Sequence, residues 1–178
     1  MKNSSTTYLP KNATAIGDGV FIAPSNYCIA KDVVLGDGSV IKKGKKFFTL
    51  AELNALKLAG EFPEGWDIPT RLELEAVVVK YGAKRGTLHV HNLMTSLGLS
   101  LEGSLTNSDF DRYNNDPSIG DSCVIGWNTL GHYLCTDADD PTIPWMLFLN
   151  DSDSGIYVAP CSIGATGSVR LVYRATST

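Results

Sequence analysis

The sequence predicts an α+β fold: two short helices followed by antiparallel sheets, with a small β-rich module in front. Three observations carry that reading. Two Thr-x-x-Glu starts in the middle of the chain each lead into an apolar stripe of helical spacing. Past Gly82 the helical period disappears, and short β-rich pieces recur between Asp, Gly and Pro residues. Helices and then strands, rather than an alternation of the two, argue against a parallel doubly wound sheet. With 17 Gly and 8 Pro in 178 residues, the composition leans the same way, towards turns and strands.

Taken in order, Met1 to Pro10 is rich in Ser, Thr and Asn and reads as an extended arm that needs a partner to become ordered. Next come short β-branched runs punctuated by Gly17-Asp18-Gly19 and Gly36-Asp37-Gly38. Asp-Gly supplies the positive φ of a tight hairpin turn, so both are expected between short strands. VVLGDGSVIKKG also has the rhythm of a left-handed β-helix rung, as in hexapeptide acyltransferases, but a solenoid needs more stacked repeats than occur here. Residues 1–46 are therefore read as an arm and a β-rich attachment or trimerisation module, and residues 47–178 as a second domain.

That second domain opens on Thr49 to Glu52, a capping box, with Leu50, Leu53 and Leu56 on one side and Gly60 as the stop. Thr70 to Glu73 repeats the start, and Leu74, Val77, Val78 and Tyr81 make the buried stripe before Gly82. From Ser122 onward SCVIGW, GHYLC, WMLFLN, GIYVAPC and SVRLVYR have the spacing of antiparallel strands. In the last, Val169, Leu171 and Tyr173 alternate with Ser168, Arg170 and Val172, which predicts one face on a core. Thr87 to Asp121 is long, loop-rich and polar after Leu101, and is where a binding loop is expected.

Composition excludes several classes. Hydrophobic residues at 43% and charged residues at 19% are an ordinary globular mixture. A formal charge of -4 offers no basic footprint for nucleic acid. No stretch approaches the roughly 18 apolar residues of a membrane span, and the opening MKNSSTTYLPKNATAIGDG has no apolar core of a secretory signal. Cys28, Cys123, Cys135 and Cys161 are scattered without a C-x-x-C pair, so they read as buried thiols or one incidental pair.

PEGWDIPT (Pro63 to Thr70) resembles the Fibrobacter succinogenes major paralogous domain, whose pattern is close to C-P-x-G-W-H-V-P-T followed by a helix. Further pieces fall in the same order. Asn92 to Ser104 is similar to the family's K-L-K-S-x-x-G-W segment, and Gly131 to Thr136 to its G-x-Y-W-S-S strand. Trp145 to Asn150 and Gly167 to Arg174 are similar to its closing strands, which usually end G-x-S-V-R-C-V. The resemblance covers Phe47 to Ala175 and implies a C-type lectin-like fold. Phe62 stands where the family has Cys, and the Trp-Trp-Ser-Ser strand is reduced to Tyr133 to Thr136. Gly65, Trp66, Pro69, Thr70, Gly167 and Arg170 are the fold-defining positions. On the residues alone, Gly65 permits a tight turn, Pro69 stiffens a helix entry, and Trp66 reads as a core anchor ahead of a ligand-stacking surface residue. Arg170 reads as a solvent-facing or carboxylate-paired strand residue.

No catalytic constellation is evident. G-x-S-x-G, H-E-x-x-H and a Walker loop are absent. His89 and His91 would share one side of a strand, but no third ligand is near, so a solvated strand face is expected. Asp151 to Gly155 has alternate carboxylates, yet lacks the Gly spacing and closing Glu of a calcium loop and reads as a hairpin turn. The E-P-N, Q-P-D and W-N-D elements of calcium-dependent lectins are missing, and Cys135 and Cys161 do not match the copper-binding pair of the formylglycine-generating relatives. The expectation is a non-enzyme with no cofactor and no metal.

Two settings fit. One is a phage virion, where similar C-type lectin-like domains occur, including on crAss-like phages: a head or tail fibre displaying the domain as a knob for a host surface glycan or protein. The other is a bacterial cell-surface or secreted adhesion module. The virion is preferred because no signal segment opens the chain and the arm needs a partner. Short strands carrying Val33, Val34, Leu35, Val40 and Ile41 bury little alone, which predicts a homotrimer with other virion proteins held through the arm. Asn107, Asp109, Arg112, Tyr113 and Asn114, with Asp137 and Asp139, are the candidate ligand-facing loop residues.

Overall fold

The helices start where their caps place them. In the computed structural model, which describes residues 12–81, 96–120, 124, 130–150 and 155–175, helix α1 spans Leu50–Leu58 and α2 spans Arg71–Tyr81. The Thr49 amide donates to the Glu52 carboxylate (3.0 Å) while the Glu52 amide donates to the Thr49 hydroxyl (3.3 Å). Thr70 and Glu73 repeat the exchange at 2.8 and 3.4 Å. Just past the end of α1, Gly60 has a φ of 72° that lets the amides of Gly60 and Glu61 turn back to the carbonyls of Lys57 and Leu56.

The fold is mixed α+β, with three short helices and antiparallel sheets among the described residues. Strands β1 (Thr14–Gly17), β2 (Val20–Ile22), β5 (Trp66–Asp67) and β9 (Val172–Arg174) form one sheet in the order β1-β2-β9-β5. β3 (Val33–Val34) and β4 (Val40–Ile41) form a hairpin. β6 (Leu130–Thr136), β7 (Pro144–Asn150) and β8 (Ile156–Pro160) form the third sheet. Both Asp-Gly turns are hairpin turns, with φ of 69° at Gly19 and 84° at Gly38. A third helix, α3, spans Asn107–Asn115 and leads into a 3₁₀ turn at Pro117–Ile119.

Side chains alternate across β6 and β7, and the alternation sorts the core. Tyr133, Cys135, Leu147 and Leu149 face a cluster with Leu74 and Val77 of α2, Ile16, Ile22 and Val172. Leu134 and Met146 face a second cluster with Leu50, Leu53 and Leu56 of α1, together with Ile29, Val33, Ile41, Val169 and Leu171. A smaller cluster holds Phe47, Leu105 and Tyr113.

Contacts cross the boundary drawn between residues 46 and 47: β2 pairs with β9 (Val20 opposite Arg174), and Ile29, Val33 and Ile41 pack on α1. The short N-terminal strands find edges and apolar neighbours in their own chain. The SVRLVYR segment is not one-faced, because Ser168, Val169, Arg170, Leu171 and Val172 are all buried; it runs between two core clusters. Residues 107–115 are a helix and not a loop. His89, His91, Cys123, Asp151 and Asp153, and the stop at Gly82, lie outside the described residues.

Gly65 serves the turn in two ways. Its φ is 80°, and a Cβ there would stand 2.5 Å from the Tyr173 ring. Gly65→Ala is therefore expected to cost about 2 kcal/mol, from the left-handed backbone and the displaced ring together. Urea unfolding measures it; a loss below about 0.5 kcal/mol, the range of neutral surface changes, would refute the steric account.

Candidate functional site

β2 ends at Ile22, and the chain then runs as APSNYCIAK from Ala23 to Lys31 across the end of the β1-β2-β9-β5 sheet. Pro24, Ser25 and Asn26 keep this stretch out of regular structure. It is pinned at intervals: the Ala23 amide donates to the Leu171 carbonyl (2.9 Å), Tyr27 to Val169 (2.9 Å) and Ile29 to Lys45 (3.0 Å). Facing it is the turn from Glu61 to Trp66. Between them lies a cleft of about 610 Å³.

The walls are mainly carbon, from Pro24, Tyr27, Ile29, Val33, Pro63, Trp66 and Leu171. Trp66 is half-buried and meets the Tyr173 ring edge-on at 6.1 Å, so one side of the indole is packed while the residue also lines the cleft. Tyr27 meets Phe62 edge-on at 5.1 Å and donates its hydroxyl to the Glu61 carbonyl (3.3 Å). At the rim Lys31 and Glu61 pair at 3.4 Å.

Behind the wall stands Arg170, only 3% exposed. Its guanidinium donates to the carbonyls of Ala23 (2.9 Å), Leu97 (3.1 Å) and Gly98, and to Asn26 Oδ1 (2.6 Å). The expectation of a solvent-facing or carboxylate-paired residue is corrected: Arg170 fastens the cleft wall to the segment before β9 and to residues 97–98. Carbonyls outside regular pairing need donors, and guanidinium is the side chain that supplies five in one plane.

Burial shifts two titratable groups of the cleft. Burial, then Glu61 and Cys28, push the Tyr27 phenol up to about 12. Burial also raises the Cys28 thiol, against a smaller opposing effect of Lys46. A thiol held protonated, with no histidine among the lining residues, is not an activated nucleophile. Tyr27 carries a pH prediction. A phenol whose pKa is raised on folding contributes stability that is complete below its unfolded value near 10 and is lost as pH rises through about 12. Unfolding midpoints should therefore fall over that window, and Tyr27→Phe should fall less. Equal slopes for the two proteins would refute it.

The expected ligand-facing residues do not converge. Tyr113 is fully buried, and its hydroxyl accepts from the amides of Lys46 (2.7 Å) and Phe47 (3.3 Å). Asn114 accepts from buried Lys45. Asp109 accepts from the Thr106 hydroxyl (2.6 Å), which caps α3. Arg112 has a side chain 70% exposed and lies 3.6 Å from Asp109. Asn107 is the first residue of α3. Asp137 pairs with Arg71 (3.3 Å) and accepts from the Asp139 amide (2.9 Å), leaving Asp139 exposed. A ligand face on α3 is thus corrected for Tyr113 and Asn114, which hold the helix on the body.

Of the fold-defining residues, Trp66 is both packed and cleft-lining. Pro69 is buried, and its carbonyl accepts from the Thr136 amide (2.9 Å). A Cβ at Gly167 would meet the His132 carbonyl at 2.8 Å. Among the described cysteines, all free, Cys28 is exposed where a buried thiol was expected, and Cys135 is buried. Among the described residues no cluster of three His, Cys, Asp or Glu could hold a metal, and no helix is long and apolar enough to cross a membrane. Compared with protein-family models, curated proteins and solved structures, the chain matches none.

Proposed function

We propose that the chain is a non-enzymatic binding module of C-type lectin-like fold, displayed on a phage virion as a head or tail fibre for attachment to a host surface glycan or protein. The observation that carries the reading is the meeting of its two motif segments. PEGWDIPT contributes β5 and GSVRLVYR contributes β9, and they pair with Trp66 opposite Tyr173 and Asp67 opposite Val172. Arg174 then donates to Glu73 (2.6 and 2.8 Å), Asp67 (3.0 Å) and the Ile68 carbonyl (3.1 Å). Segments that resemble one family in sequence are thereby joined in one sheet and locked to the helix that follows the first of them. The cleft beside Trp66, apolar and without an activated nucleophile, supports binding as the activity.

On a particle the partners would be further copies of the chain, as a homotrimer, and a capsid or tail protein. The β3–β4 hairpin offers a surface for that contact, where Val34 and Val40 lie opposite each other, 68% and 44% exposed. Mass spectrometry of purified particles tests the setting, together with the identity of the neighbouring genes. Portal and capsid proteins alongside this chain are the expected result. Recovery only in a bacterial envelope fraction, beside adhesin genes, would overturn it in favour of a cell-surface module. Light scattering on the full chain tests the trimer, which a monomer would remove.

A further inference from the structure

We propose that the cleft between Ala23–Lys31 and Glu61–Trp66 is a binding site for an uncharged, ring-bearing apolar small molecule, and not for a sugar. The proposal deepens the binding-module reading, and rests on it only for its biological use. Three observations carry it. First, size: about 610 Å³ falls within the roughly 300–1,000 Å³ of small-molecule sites. Second, lining: Ile29, Val33, Leu171 and Pro24 give aliphatic walls, and Tyr27 and Trp66 give aromatic ones, which suits a ring that packs against carbon and π surface.

Third, three polar features of the wall are already engaged, and Asn26 Nδ2 is a lone buried donor without a partner among the described residues. The Tyr27 hydroxyl donates to the Glu61 carbonyl, Asn26 Oδ1 accepts from Arg170, and Lys31 and Glu61 neutralise each other at the rim. A sugar brings a hydroxyl on nearly every carbon, and each one desolvated without a partner costs about 1–3 kcal/mol. A net charge would meet no unpaired opposite charge at the mouth. An apolar ring asks for neither, and it gains about 25 cal/mol for each Å² removed from water. Arg170 is the positioning residue of this site, because it fixes the wall at Ala23 and Asn26 without lining the cleft itself.

The test titrates the full chain with N-phenyl-1-naphthylamine, an uncharged fluorescent ring compound. Saturable binding of one probe per chain is expected, with energy transfer from tryptophan reduced in Trp66→Leu. Ala30→Trp, which adds a ring on the cleft wall, should weaken binding at least about tenfold, or about 1.4 kcal/mol. Bound probe should also slow alkylation of Cys28, mapped by mass spectrometry, which keeps the proposal testable if Ala30→Trp fails to fold. Unsaturable binding, an unaltered Cys28 rate, or displacement of the probe by a neutral monosaccharide would each overturn it. None of these results depends on where the chain is displayed, so failure here and failure of the virion reading are separable.

Discussion

Arg170→Met should remove about 4 kcal/mol of folding stability, a large share of the 5–15 kcal/mol that a domain commonly has. Methionine fills most of the volume but offers no hydrogen. The carbonyls of Ala23, Leu97 and Gly98 and the amide oxygen of Asn26 would then be left without the donor they share. Orphaned buried acceptors cost about 1–3 kcal/mol each, reduced here because water can reach some of them once the wall loosens. Burial pulls the guanidinium pKa down while Tyr133 and Glu102 oppose it, as expected of a charge held by carbonyls and not by a carboxylate contact. Arg170→Lys should recover less than half of the loss, since one ammonium cannot fan out over four acceptors. Urea unfolding gives the loss. Faster alkylation of Cys28 below the transition would show that the wall at Ala23 to Asn26 has come free. A change within about 1 kcal/mol of the parent protein would mean that these bonds are not what holds the segment.

What the sequence made legible was local. Two Thr-x-x-Glu boxes and two Asp-Gly turns exchange hydrogen bonds over a few residues, so their spacing is their geometry. α3 opens on a related cap, Thr106 with Asp109, but its body, NSDFDRYNN, is polar. Phe110 and Tyr113, three apart, are its apolar contacts, and the cap was the signal to follow. Arg170 was out of reach for another reason. Alternation along a strand places a side chain on a face, but not the carbonyls of Leu97 and Gly98 beneath that face. The cleft was hidden likewise: Trp66 stood out as a large apolar residue, while Tyr27 and Ile29 become its neighbours only once β2 pairs with β9.

Lys45 was not singled out in the sequence either, although it is 2% exposed. Its ammonium pairs with Glu52 and donates to Asn114, and it sits 4.5 Å from the centre of the Phe110 ring. Burial pulls its pKa down and Glu52 opposes the shift. One charge therefore joins the capping box of α1 to the inner face of α3. Lys45→Met keeps the stem's packing and removes the charge, so the loss measures the polar contacts. The Glu52 carboxylate still accepts from the Thr49 amide, and its side chain is 21% exposed, so it is not stranded. That places the expected loss near 2–3 kcal/mol, below the 3–5 kcal/mol of a fully buried broken pair. Asn114→Ala should lose about 1 kcal/mol in the parent protein and almost nothing in Lys45→Met, because the acceptor then has no donor to lose. Urea melts of the four proteins of that cycle give the coupling directly. Strict additivity would show that Lys45 and Asn114 do not share a bond, and Asn114 would again be open to a ligand.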